Sequence, residues 1–127
     1  MSKNDDMILN PEIGEVYKTP LLFVGLPEYI KIGHLDVKIS VKEDHLMKEG
    51  EMSGQWVEDK QEILLIETLK DWPLKEVFLH ELLHAIATVW NIKFKKEEDS
   101  VCSLAIGLTT VFRDNPEILK FLGEINE

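Results

Sequence analysis

Cysteine is nearly absent. Cys102 stands alone in 127 residues, so no internal disulfide can form and nothing in the chain calls for an oxidising compartment. Basic side chains are also scarce, 14 against 24 acidic ones, for a formal net charge of −10. So few cations leave no lysine- and arginine-rich face for phosphate contacts, which argues against a nucleic-acid partner. Glycine and proline, at 7 and 5, are too few for a fibrous or low-complexity segment. Long apolar runs are missing as well. The longest, Leu21 to Val24 with Gly25 and Leu26 after it, is far too short to span a bilayer, and it lacks the basic flank and small-residue cleavage site of a signal peptide. What remains, 44% hydrophobic, is too apolar for disorder and the size of one domain. These features predict a single soluble, cytoplasmic domain over residues 1–127, with an irregular start over the polar residues 1–20, which hold Pro11 and Pro20.

The hydrophobic period changes near residue 70. Leu35, Val37, Ile39 and Val41 alternate with Asp36, Lys38, Ser40 and Lys42, the period of two of a half-buried strand. Gly54 to Val57 and Glu62 to Glu67 flank the polar Glu58-Asp59-Lys60-Gln61, which suits a hairpin without the Asn-Gly or Asp-Gly turn signal. Leu21 to Leu26 offers a further strand. After Asp71 the apolar residues recur at helical spacing, at Leu74, Val77, Phe78, Leu82, Leu83, Ile86, Val89 and Trp90. Asp71 is placed to cap that helix, Pro73 is tolerated in its first turn, and Asn91 can end it. A second helix is expected from about Glu97 to Phe112, with Val101, Leu104, Ala105, Leu108, Val111 and Phe112 on one side, closing at Asp114-Asn115-Pro116. Asn115 would cap a short third helix whose apolar residues are Ile118, Leu119, Leu122 and Ile125. Strands followed by helices make an α+β pattern: a small, mainly antiparallel sheet and three helices.

His80-Glu81-Leu82-Leu83-His84 lies in the middle of the first helix. Histidines at i and i+4 face the same side about one turn apart, a spacing that fits one metal ion. Neutral imidazoles are good zinc ligands. Glu81, about 100° around the helix from His80, can reach a water on the metal without being a ligand and would act as general base. Two histidines and a glutamate are the minimum set for zinc-assisted amide hydrolysis. Three fixed positions in five arise by chance in roughly a few chains per thousand of this length, so the surroundings decide. Val77, Phe78, Leu79, Ala85 and Ile86 would bury the two histidines and the glutamate, which is costly without partners, and this favours the metal.

A third protein ligand is then required. A downstream glycine and third histidine are absent, because Ala87 and Trp90 occupy those positions, and His34 and His45 in the strand region read as surface residues. The carboxylates opening the second helix, Glu97, Glu98 and Asp99, are the remaining candidates, although acidic residues in a first turn also favour the helix dipole without any metal. The short connection Asn91 to Lys96 makes the two helices antiparallel neighbours and returns those carboxylates towards His84. By helical geometry Glu97 points nearer the centre of the apolar face. Cys102, four residues after Glu98, shares its face and could supply a thiolate, but it reads as a small buried hydrophobe. Trp56, Trp72 and Trp90 read as packing for the core and its edges. Tyr17 or Tyr29 would be a candidate phenol for an oxyanion only if brought near His80.

His80 to His84, followed by Glu98-x-x-Val101-x-x-Leu104-Ala105-x-Gly107-Leu108 and Arg113-Asp114-Asn115-Pro116-Glu117, resembles the small zincin-type metallopeptidase-like proteins of bacteriophages and other mobile elements, distant relatives of the ImmA/IrrE metallopeptidases. The resemblance covers roughly residues 34 to 120. It implies a zincin-like fold with a metal between two helices and a small sheet beside it, and a gluzincin-type set in which His80, His84 and Glu98 hold zinc and Glu81 is the base. Glu98 meets the family spacing with Val101, Leu104 and Ala105 at +3, +6 and +7, whereas Glu97 places Ser100 and Ser103 at +3 and +6. The implied activity is peptide-bond hydrolysis on a peptide or protein substrate. Over residues 1–127 the chain is shorter than the full-length peptidases, and no second subdomain is expected within it. The competing class is therefore a non-catalytic, zinc-stabilised binding module.

Overall fold

The computed structural model of the chain describes residues 8–10, 16–18, 25–43 and 53–124. Near the start, β1 (Ile8–Asn10) and β2 (Val16–Lys18) pair antiparallel, so the expected irregular start contains a two-stranded ribbon. The strand expected over Leu21 to Leu26 falls mostly outside the described residues.

Four strands form the main sheet: β3 (Tyr29–Ile32), β4 (Leu35–Lys42), β5 (Gly54–Val57) and β6 (Glu62–Ile66), in the order β3-β4-β6-β5. The outer pairings are antiparallel, but β4 and β6 run parallel, with Ile39 opposite Ile63 and Val41 opposite Leu65. The sheet is therefore mixed. The reason is order of insertion, since β5 takes the edge and the hairpin brings β6 back between it and β4. A 3-10 turn over Glu58–Lys60 makes the hairpin, closed by Gln61 at φ 52°, a left-handed residue doing what a glycine turn would have done.

The alternating residues supply the core. Val37, Ile39, Ile63 and Leu65 are essentially inaccessible, joined by Ile32 from β3 and by Leu74 and Ala85 from α1 (Asp71–Val89). Fully burying such an aliphatic side chain contributes about 1.5–3 kcal/mol, so these residues pin α1 to one face of the sheet. Val41, expected inside, is 38% exposed near the end of β4, although Leu65 opposite it on β6 is buried.

Asp71 does not cap α1. Lys70 holds the capping position without a side-chain bond, and Asp71 enters at φ 53°, a left-handed conformation that aspartate tolerates better than most residues. The far end is as expected: Asn91 takes φ 53°, and the N–H groups of Asn91 and Ile92 donate to the carbonyls of Thr88 and Ala87, a Schellman closure. α2 (Glu97–Asp114) follows and α3 (Pro116–Gly123) ends the described chain. Asn115 stands at the N-cap of α3 as expected, but without a side-chain bond to it; its side-chain amide donates back to the carbonyl of Val111 in α2. On α2 the buried residues are Val101, Ala105 and Thr109, while Leu104 and Val111 are both 43% exposed. Only the stripe against α1 is covered, and it is narrower than the apolar pattern. No residue of α3 is buried, and Ile125 lies outside the described residues. No helix among the described residues is long and apolar enough to cross a membrane.

Candidate metal centre

α1 and α2 run in opposite directions, and the first turn of α2 meets the middle of α1. His80 and His84 stand one turn apart with ring centroids 4.9 Å from each other, and their side chains are only 16% and 18% exposed. Across the seam, the Glu98 carboxylate lies 3.1 Å from His80 Nε2 and 2.8 Å from His84 Nε2. One ligand atom from each of His80, His84 and Glu98 falls within 4.8 Å of the others, a group that could hold a metal ion. The residues singled out by spacing and by resemblance are thus brought together. Asp99, Cys102 and the exposed His34 are not members of the group, and His45 lies outside the described residues.

Glu97 has a place that its sequence did not assign. Its Oε2 is 2.7 Å from His84 Nδ1, on the opposite side of the ring from Glu98. A neutral imidazole has one N–H to give, so both carboxylates are satisfied as acceptors only by the protonated ring. Burial opposes that charge, but the hydrogen bonds to Glu97 and Glu98, with the negative charges of Glu81 and Glu98, outweigh it and hold His84 above the ordinary histidine value. Glu98 is the counterpart. Its partial burial favours the neutral acid, and the two histidines overcome this to hold the carboxyl below its usual range. This donor set suits a cation: with the Nε2 proton gone, His84 Nδ1–H still donates to Glu97 and its Nε2 lone pair is free beside His80 and the Glu98 carboxylate.

Glu81 is 4% exposed. Burial raises its pKa, against the nearby histidines and a hydrogen bond from the backbone N–H of Trp56. That bond depends on Gly54. A Cβ there would sit 2.7 Å from Val77 Cγ1 and 3.2 Å from Glu81 Cγ, so only glycine lets β5 approach α1 closely enough to present the Trp56 N–H. No signal in the sequence marked Gly54. The ambiguity between Glu97 and Glu98, by contrast, was the trace of two carboxylates that both face α1.

The remaining expectations divide. Cys102 is exposed, because α2 turns it to the open side of the seam and not to the core. Trp56 packs against the core and donates from Nε1 to Thr88 Oγ1 at 3.1 Å. Trp72 and Trp90 are 39% and 57% exposed. Tyr29, 45% exposed on β3, does not line the cavity beside His80, and Tyr17 lies on β2 with its side chain outside the described set. Comparison with protein-family models, with curated proteins and with solved structures gave no match in any of the three. The functional reading therefore rests on the residues themselves.

Proposed function

We propose that this chain is a zinc-dependent peptidase of zincin type, in line with its resemblance to the small phage-borne proteins of that class. The observation that carries the reading is the convergence of His80, His84 and Glu98 next to a buried glutamate with a raised pKa. A zinc ion there would act as a Lewis acid, acidifying a water molecule and polarising a peptide carbonyl.

The protein residues do the rest. His80, His84 and Glu98 would hold the ion with three protein ligands, the number typical of a catalytic site with an open position. Glu81, one residue along the helix from His80, takes the proton of the attacking water and returns it to the leaving amine. A carboxylate held there is placed to serve first as base and then as acid. The Trp56 N–H fixes the carboxylate in position. The alternative, a metal that merely joins the two helices, calls for a closed set of four ligands, and three converge among the described residues.

The test combines metal analysis with Glu81→Gln. Protein purified without chelator should carry one zinc per chain. The near-isosteric amide should leave that zinc in place, abolish cleavage of a mixed peptide library, and leave the melting temperature unchanged or slightly raised, because it removes a buried carboxylate. Wild-type protein that cleaves nothing, together with a mutant that keeps zinc but melts clearly earlier, would transfer the site to the structural alternative.

A further inference from the structure

The cavity at the metal group does not end there. It is an open cleft of about 160 Å³ that continues along the seam between the helices, away from His84. Its walls are Val77 on α1 and Cys102, Ala105 and Ile106 on α2, with Gly54 of β5 beside them. By helical rise, Glu76 stands about 6 Å along α1 from His80, and Ile106 about 12 Å along α2 from Glu98. Glu76 therefore stands about one helical turn into a slot that begins at the metal group, and the apolar wall at Ile106 reaches beyond it.

Charge decides what such a slot accepts. The ionisable carboxylates lining it are Glu76, Glu81 and Glu98, and no lysine or arginine lines it among the described residues. A divalent cation at the histidine pair would offset Glu81 and Glu98 and leave Glu76 as the one uncompensated charge. Glu76 is half-buried and has no hydrogen bond or ion pair among the described residues. An aliphatic side chain filling the slot would dehydrate that carboxylate without a partner, which is unfavourable, and an acidic one would be repelled. A side chain with an apolar stem and a cationic tip meets both conditions. The volume is sufficient, since an aliphatic-lined cavity of about 150 Å³ accommodates benzene.

We propose that this slot is a substrate subsite for a basic residue, lysine or arginine, next to the scissile bond, with its methylenes against Val77, Ala105 and Ile106 and its cation at Glu76. The proposal rests on the peptidase reading of the metal group and adds the class of substrate.

The experiment uses zinc-loaded full-length protein and three short peptide hydroxamates that differ in one side chain: lysine, norleucine or glutamate. Calorimetry should show the lysine compound binding about tenfold tighter than the norleucine one, the size of one charge-assisted hydrogen bond in a partly solvated site, and the glutamate compound binding weakest. Glu76→Gln should bring lysine and norleucine level while zinc content stays unchanged, and Glu76→Lys should invert the order in favour of glutamate. Raised salt should shrink the lysine preference in the wild type. Equal binding of all three compounds, or a lysine preference that survives Glu76→Gln, overturns the subsite and leaves the peptidase reading standing. Failure of the chain to take up zinc, or of all three compounds to bind the zinc-loaded protein, overturns both.

Discussion

Removing the Glu97 side chain is the sharpest probe of how the two adjacent carboxylates divide their work. In Glu97→Ala the bond of 2.7 Å to His84 Nδ1 is lost, and with it the group that selects which ring nitrogen keeps its proton. The distance lies in the range of charge-assisted bonds, which contribute about 1.5–3 kcal/mol when shielded. Here the His84 side chain is 18% exposed and that of Glu97 43%, so solvent reduces the contribution to about 1–2 kcal/mol. Carried through to the ion, this is roughly five- to thirtyfold in affinity, within or just below the tenfold to hundredfold range typical of groups that orient a ligand. Competition with a chromophoric chelator at neutral pH measures it directly. Glu97→Asp should recover part of the loss, and Glu98→Ala should exceed about a hundredfold because it deletes a ligand outright. Wild-type zinc affinity in Glu97→Ala would refute the positioning role, and a larger loss in Glu97→Ala than in Glu98→Ala would exchange the two assignments.

The structure makes two further predictions. Gly54→Ala forces a methyl to within 2.7 Å of Val77 Cγ1 and 3.2 Å of the Leu64 carbonyl. It should lower stability by about 1–3 kcal/mol, read by urea denaturation, and should also impair hydrolysis through Glu81; a variant as stable as wild type would show that β5 and α1 can separate without loss. The pH response follows from His84, whose folded value is raised above 6.5: in metal-free protein its contribution is complete below the unfolded value and is lost as pH rises through the folded one. Metal-free protein should thus lose stability through that interval while zinc-loaded protein does not, and zinc affinity should fall as pH drops below the raised value, because proton and metal compete for Nε2. Melting curves and chelator competition across pH check both, and a flat metal-free profile would contradict the double carboxylate contact at His84.

Local pattern was enough to read much of this protein. The alternation of Val37 and Ile39, the apolar period of α1, the Asn91 stop and the i, i+4 histidines are all short-range properties, set by backbone geometry within a turn or a few residues of strand. They placed His80, Glu81 and His84 on α1 and brought the carboxylates that open α2 near them through the length of one connection, while the choice of Glu98 among these came from the resemblance. What lay outside their reach depends on neighbours distant in sequence. The parallel pairing of β4 with β6 follows from β5 taking the sheet edge, which no residue of β4 records. Cys102 is exposed, and Leu104 and Val111 with it, because α1 covers a narrower stripe of α2 than the apolar pattern offers. Asn115 donates its side-chain amide back to the Val111 carbonyl of α2 and makes no side-chain bond to α3. The closeness of β5 to α1 at Gly54, the Trp56 N–H on Glu81, and Glu97 behind the ring of His84 are contacts between elements. The sequence determined which residues could do chemistry, and tertiary packing decided which of them meet, because side-chain encounter across a seam depends on how the elements are placed against one another and not on the period within either.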